Sequence, residues 1–213
     1  MRRPDRIRTE IAREAARLMY EEGVWEYRDA KRKAARRFGP EQALSLGSHL
    51  PGNAEIHAEL ARLIALHEGP AAPERLLRLR MAALEFLELF EPFQPLLVGS
   101  VLSGVVTERS DIDLHLFADS PEEVEEFLHR AGIPIESEVV SVRHGGAFHD
   151  YPHLYLDADG TEVECSIYPP SERRSPPRSS ITGQPMARAD ARKLRRLIAG
   201  SLPGGTLRGP EEG

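Results

Sequence analysis

From Asp111 to Leu116 the chain alternates polar and apolar residues, and Phe117 closes the run: Asp111-Ile112-Asp113-Leu114-His115-Leu116-Phe117. A period of two predicts a strand whose successive side chains point to opposite faces. Asp111 and Asp113 then project side by side, opposite Ile112 and Leu114. Two like charges this close on a mostly apolar strand repel each other and lose hydration unless a cation neutralises them. Ligands made only of oxygen favour a hard cation, Mg²⁺ or Mn²⁺. His115 continues the same face and is expected at the rim of such a site. Taken alone, an Asp-x-Asp strand is more often a solvated edge, so a second feature has to decide.

That feature lies upstream. Leu96-Leu97-Val98 is a short apolar run, followed directly by Gly99-Ser100, and nine residues separate Ser100 from Ser110. A Gly-Ser turn after a strand offers backbone N–H groups and a hydroxyl suited to a phosphate. Gly104, in the intervening loop, would let the chain return so that both elements meet. A phosphate cradle beside a two-carboxylate cation site suits nucleotidyl transfer, and two-metal versions want a third carboxylate on a neighbouring strand. Thr161-Glu-Val-Glu-Cys-Ser-Ile-Tyr168 provides the candidate strand. Val163, Cys165 and Ile167 face one way, and Glu162, Glu164 and Ser166 the other. Glu164, with apolar residues on both sides, is the expected third acid. Glu162, near the hairpin end, is expected in solvent. Cys165 reads as a small buried apolar residue rather than a nucleophile.

Gly99-Ser100, the nine-residue gap and Ser110-Asp111-Ile112-Asp113-Leu114 together resemble the signature of the nucleotidyltransferase superfamily with the DNA polymerase β-type fold. The compact form is closest to the minimal bacterial nucleotidyltransferases. With the third strand, the resemblance extends over about 80–170. It implies a mixed sheet flanked by helices, built from the preceding helix, the two motif strands and a later acidic strand. It further implies that Gly99 and Ser100, with Ser110 beside them, hold the nucleotide phosphates. Asp111 and Asp113 would bind both metal ions. Glu164 would bind the metal near the acceptor hydroxyl and help to deprotonate it. The third acid is Glu where family members often carry Asp, and its strand is assigned by pattern rather than by motif.

The rest of the chain reads as an α/β (α+β) protein with an added helical unit. Ile7, Ile11, Ala15, Leu18 and Met19 share one helical face, ended by Gly23. Trp25, Tyr27, Ala30, Ala34 and Phe38 suggest a second helix ending at Gly39-Pro40. After a loop with Gly47, Pro51 and Gly52, Asn53 reads as the N-cap of a third helix with Ile56, Leu60, Leu63 and Ile64 inside. Gly69-Pro70-Ala71-Ala72-Pro73 reads as a linker, which makes 1–69 an all-helical unit and 73–170 the nucleotidyltransferase domain. Residues 73–91 are apolar on most sides and predict a largely buried helix. Ser120-Pro121-Glu122-Glu123 has the form of a capping box, with Val124, Phe127, Leu128 and Ala131 on the inner stripe and Gly132 as the stop. Strands are expected near 133–143, 152–157 and 161–168, with Asp157-Ala-Asp-Gly160 as a hairpin turn. The stretch 171–213 reads as a basic Pro/Ser-rich extension carrying a helix at about 187–199 and a disordered end.

Charge is unevenly spread. Residues 1–40 hold 12 Lys and Arg against 7 acids, 171–213 hold 9 against 4, and the middle holds 7 against 23. An acidic centre fits a cation site, and basic ends fit an anionic partner such as RNA through 28–37 and 188–196. Solvated helix faces explain such ends more often, and no aromatic platform is interleaved with Arg28, Lys31, Arg32, Lys33, Arg36 and Arg37. No apolar run approaches the roughly 20 residues of a membrane span. One cysteine excludes a disulfide scaffold. With no apolar stretch behind Met1-Arg-Arg-Pro, the expected address is a reducing cytoplasm. His144, His149 and His153 cluster near Asp150, but their spacing fits no zinc motif. The expected activity is Mg²⁺- or Mn²⁺-dependent transfer of NMP from a nucleoside triphosphate to an acceptor hydroxyl. That acceptor is a small molecule, an RNA end or a protein. The alternative is a non-catalytic relative that binds nucleotide or RNA, or an antitoxin-like partner-binding protein.

Overall fold

The structure is a computed structural model that describes residues 6–24, 26–39, 49–144 and 147–201. It is mixed α+β and divides into two units. The first takes the chain up to Pro73 and receives two later segments, Val105–Arg109 and Ser179–Gln184. The second contains a five-stranded sheet. No described helix is long and apolar enough to cross a membrane.

The first unit is built on helices α1 (Arg6–Glu22), α2 (Tyr27–Ala35) and α3 (Asn53–Glu68). Ile11, Ala15, Leu18, Ala30, Ala34, Ile56 and Leu60 form its core, the faces that periodicity marked. Trp25 and Gly47 lie outside the described residues. Asn53 does not cap α3. Gly52 does, with its N–H donating to Glu55 Oε2 at 2.7 Å, while the Asn53 amide donates to the Ser180 carbonyl. The N-cap therefore needs no side chain of its own, because the acid three residues on satisfies its backbone.

Of the expected linker, Ala71–Pro73 instead begin α4 (Ala71–Leu89), and Gly69-Pro70 precede it. Pro73 is tolerated there because the N–H it lacks would have had no helical partner. Nor is α4 buried on most sides. Leu79, Arg80, Ala83 and Leu87 form one inner stripe, and Met81 is 53% exposed. Composition overstated its burial, and helical spacing gives the true face.

The sheet runs in the order β1-β2-β5-β4-β3, from β1 (Leu96–Leu97), β2 (Ile112–Phe117), β3 (Glu136–His144), β4 (Ala147–Ala158) and β5 (Thr161–Tyr168). β1 and β2 are antiparallel, β2 and β5 parallel, and the remaining pairs antiparallel. A short helix, α5 (Gly99–Ser103), connects β1 to the loop before β2, and Gly104 ends it at φ +91°. Helix α6 (Pro121–Arg130) follows β2. Pro121 opens it as expected, but Ser120 makes no side-chain cap to its backbone. One sheet face is made of Ile112, Leu114, Leu116, Val163, Cys165, Ile167, Leu154 and Leu156, all buried.

β4 begins at Ala147, five residues before the expected strand, because its outer half pairs with β3 across a two-stranded ribbon. Asp159 (φ +51°) and Gly160 (φ +85°) form the two-residue turn between β4 and β5, the geometry that Asp-Gly favours. The segment after β5 is more than an extension. Ala189 bridges Leu97 through two backbone hydrogen bonds of 2.8 and 2.9 Å, and the helix α7 spans Ala191–Ser201. The expected disordered end, from 202 on, lies outside the described residues.

Candidate metal centre

The parallel register of β2 and β5 sets Asp113 directly opposite Glu164. Asp111 stands one residue before β2 begins, on the same face. One carboxylate oxygen from each of Asp111, Asp113 and Glu164 falls within a common 4.8 Å, the single group of three or more metal-capable side chains among the described residues. Sequence reasoning placed all three acids, and the fold assembles them.

The Gly99–Ser100 corner is packed against this cluster. Gly99 has φ +67°, and a Cβ there would fall on Asp113 Oδ2, 2.7 Å from its Cγ. The glycine therefore serves two needs at once: a left-handed backbone and close approach of the chain to a carboxylate. The Ser100 backbone N–H donates to the Asp113 side chain, and the Val98 N–H donates to the Asp113 carbonyl at 3.0 Å. Ser100 Oγ is buried without a hydrogen-bonding partner. Ser110 is half-buried just ahead of Asp111.

No cation among the described residues pairs with Asp111 or Asp113. Burial pushes the Asp113 carboxyl up to about 8, and the charges of Asp111 and Glu164 push the same way. Burial also raises Asp111, with Glu164 adding to it. Carboxylates that resist ionising in each other's company are in the state that a divalent cation reverses. Three oxygens at this spacing, with a further buried hydroxyl at hand, fit a hard cation such as Mg²⁺ or Mn²⁺.

Other expected residues fall out as follows. Glu162 is exposed, and Cys165 is fully buried with its thiol pushed well up by that burial. His115 is 4% exposed and not at an open rim. Its Nδ1 accepts from Arg188 Nη2 at 3.0 Å, and its ring lies 4.6 Å from that of Tyr168. Burial, then the nearby Arg188, lowers its basicity to about 3, so the ring is neutral. The histidine cluster separates. His149 is exposed beside Tyr151, His153 turns to Glu164, and the His144 side chain lies outside the described residues. Of the basic residues on and after α2, Arg28, Lys33 and Arg37 pair with Asp29, Glu22 and Glu14.

Two roles escaped the sequence reading. His153 Nδ1 lies 2.5 Å from Glu164 Oε1, and Arg188, from the supposed extension, holds His115. Only the strand register could have found the first, since β4 and β5 set His153 opposite Ser166, one diagonal step from Glu164. No local signal points to the second. No family model matches this chain, and neither a curated relative nor a solved structure matches it.

Proposed function

We propose that the protein is an Mg²⁺- or Mn²⁺-dependent nucleotidyltransferase with a DNA polymerase β-type core. It transfers NMP from a nucleoside triphosphate to an acceptor hydroxyl and releases pyrophosphate. The observation that carries this reading is the convergence of Asp111, Asp113 and Glu164 within 4.8 Å against a Gly99–Ser100 corner whose backbone holds one of those acids. A strand, a tight Gly-Ser corner and a second strand that returns two aspartates beside it are the parts that the motif spacing called for.

Asp111, Asp113 and Glu164 would hold the cation. Once bound, it would neutralise charge building on the α-phosphate and orient in-line attack. Ser100, with its buried and unpartnered hydroxyl, and Ser110 line the phosphate side. In the transfer, the acceptor oxygen bonds to the α-phosphorus, the bond to the oxygen bridging α and β breaks, and pyrophosphate leaves. Glu164 would take the hydroxyl proton.

The test is incubation of purified protein with each α-³²P-labelled nucleoside triphosphate and Mg²⁺ in cell lysate, beside an Asp111→Asn/Asp113→Asn variant. The expected outcome is label on one RNA, protein or small-molecule band with the wild type, reduced in the variant by at least about 10²-fold. Equal labelling by both proteins, or none with any nucleotide, would overturn the assignment.

A further inference from the structure

Across the sheet face that carries the acids, residues line up in rows. Asp113, Glu164 and Tyr155 form one, and His115, Ser166 and His153 form the next. His153 is 5% exposed, too buried to be a surface histidine. Its Nδ1 lies 2.5 Å from Glu164 Oε1. With Nδ1–H as the donor, the Glu164 oxygen accepts and the carboxylate stays available as an acceptor for a cation. The other ring nitrogen, Nε2, is buried with no hydrogen-bonding partner. A buried ring nitrogen left without a partner is unfavourable, and nothing on the Nε2 side accounts for where the ring is held. The Nδ1 contact does.

In the same row, His115 has the opposite arrangement. Arg188 has donors only, so His115 Nδ1 must accept from it and the ring hydrogen of His115 lies on Nε2. No carboxylate other than Glu164 engages His153 among the described residues. Glu164 itself sits half-buried, with Val163 and Cys165 turned to the opposite face of the sheet.

We propose that His153 is a positioning residue for Glu164: its Nδ1–H engages Oε1 and leaves the second oxygen to the site shared with Asp111 and Asp113. This inference rests on the metal-dependent reading above. Outer partners that orient a ligand matter because a carboxylate fixed beforehand loses less freedom when the cation arrives.

The test uses two measurements on the full chain. In ¹⁵N-histidine-labelled wild type without metal, NMR reads the tautomer of His153. The expected signal is an Nδ1–H that exchanges slowly and shifts in Glu164→Gln. Mn²⁺ titration, read by the paramagnetic signal of the free ion, then compares wild type, His153→Leu and His153→Asn. The Leu variant is expected to bind about 10- to 100-fold more weakly. The Asn variant, which restores an N–H near the Nδ1 position, is expected to recover most of that loss. An Nε2–H tautomer at His153 overturns the proposal without any variant. So does equal Mn²⁺ binding by wild type and His153→Leu, which leaves the reading of the site intact. A wild type that binds neither Mn²⁺ nor nucleotide overturns the site reading and this inference together.

Discussion

The helical unit and the sheet unit carry the same charged residue types and treat them in opposite ways. On the helices, Glu14 is paired with Arg17 and Arg37, Glu22 with Lys33 and Arg17, and Glu55 with Arg8. The hydrogen bonds from Arg17, Lys33 and Arg8 hold those three carboxyls below the ordinary range. In the sheet, burial drives Asp111 and Asp113 above it, and the neighbouring acids add to the shift. The cause is where the partners lie. On α1 the three-residue spacing brings Arg17 to Glu14, and Arg37, Lys33 and Arg8 reach Glu14, Glu22 and Glu55 from outside the acid's own helix. A strand stacks i on i+2, and here both positions are aspartate. The helical charges are satisfied within the chain. Asp111 and Asp113 meet no cation among the described residues, and this contrast separates a candidate site from ordinary surface.

The sharpest way to break the contrast is Gly99→Ala. The substitution places an L residue at φ +67° and drives its Cβ onto the Asp113 carboxylate. Strain of about 1–2 kcal/mol is expected from the backbone alone, and displacement of Asp113 should weaken Mn²⁺ binding by more than about 10-fold. Gly132→Ala is the matched control, because φ is +72° there and nothing lies within 4 Å of the added carbon. Thermal melts should show both variants destabilised, with Mn²⁺ binding lost only at Gly99. Equal metal binding by the two would mean that the corner does not govern Asp113.

A smaller effect concerns pH. Asp113 ionises near 8 when folded, against about 3.9 when unfolded. Between these values the folded chain holds a proton that the unfolded chain has released. The contribution of Asp113 is therefore fully present below about 4 and is lost as pH rises towards 8. In EDTA, the melting temperature of the wild type is expected to fall over this window relative to Asp113→Asn. Added Mg²⁺ should remove the difference, since a cation favours the ionised form. A wild type whose melting temperature tracks that of Asp113→Asn at every pH would show that Asp113 ionises freely.

How much of this was legible in the chain follows from the range of each interaction. The Asp111–Leu116 alternation, the Val163–Cys165–Ile167 alternation and the helical faces are local patterns. They are observed where the periodicity placed them, except that Ile7, Phe38 and Ala131, expected on inner helical faces, are exposed. Glu164 was reached by a longer step, from pattern to a neighbouring strand, and the parallel register with β2 completed it. What failed depended on partners far along the chain. Nothing near His153 says that it will meet Glu164, because that contact depends on the β4–β5 register set by the Asp159-Gly160 turn. Nothing near Arg188 says that it will reach His115, 73 residues earlier. The expected linker at 69–73 is helical from Ala71 on, for a different reason. Prolines within a first helical turn look like a break, yet they remove no hydrogen bond that the helix would have made.

The smallest effect is the one that checks the other side of the contrast. Arg17 reaches Glu14, Glu21 and Glu22, and those partners hold its guanidinium even more firmly protonated. Its side chain is nevertheless 31% exposed, so water and salt compete for every one of these contacts. Arg17→Met keeps much of the aliphatic stem and removes the charge. The expected cost is below about 1 kcal/mol, read as a small drop in melting temperature. That drop should shrink further in about 0.5 M salt, where exposed pairs are screened. Mn²⁺ binding should not change, since the substitution leaves the carboxylates of the sheet as they are. A loss as large as that of Gly99→Ala would mean that the helical charges are as demanding as the buried acids. Pairing within the chain would then no longer distinguish surface from site.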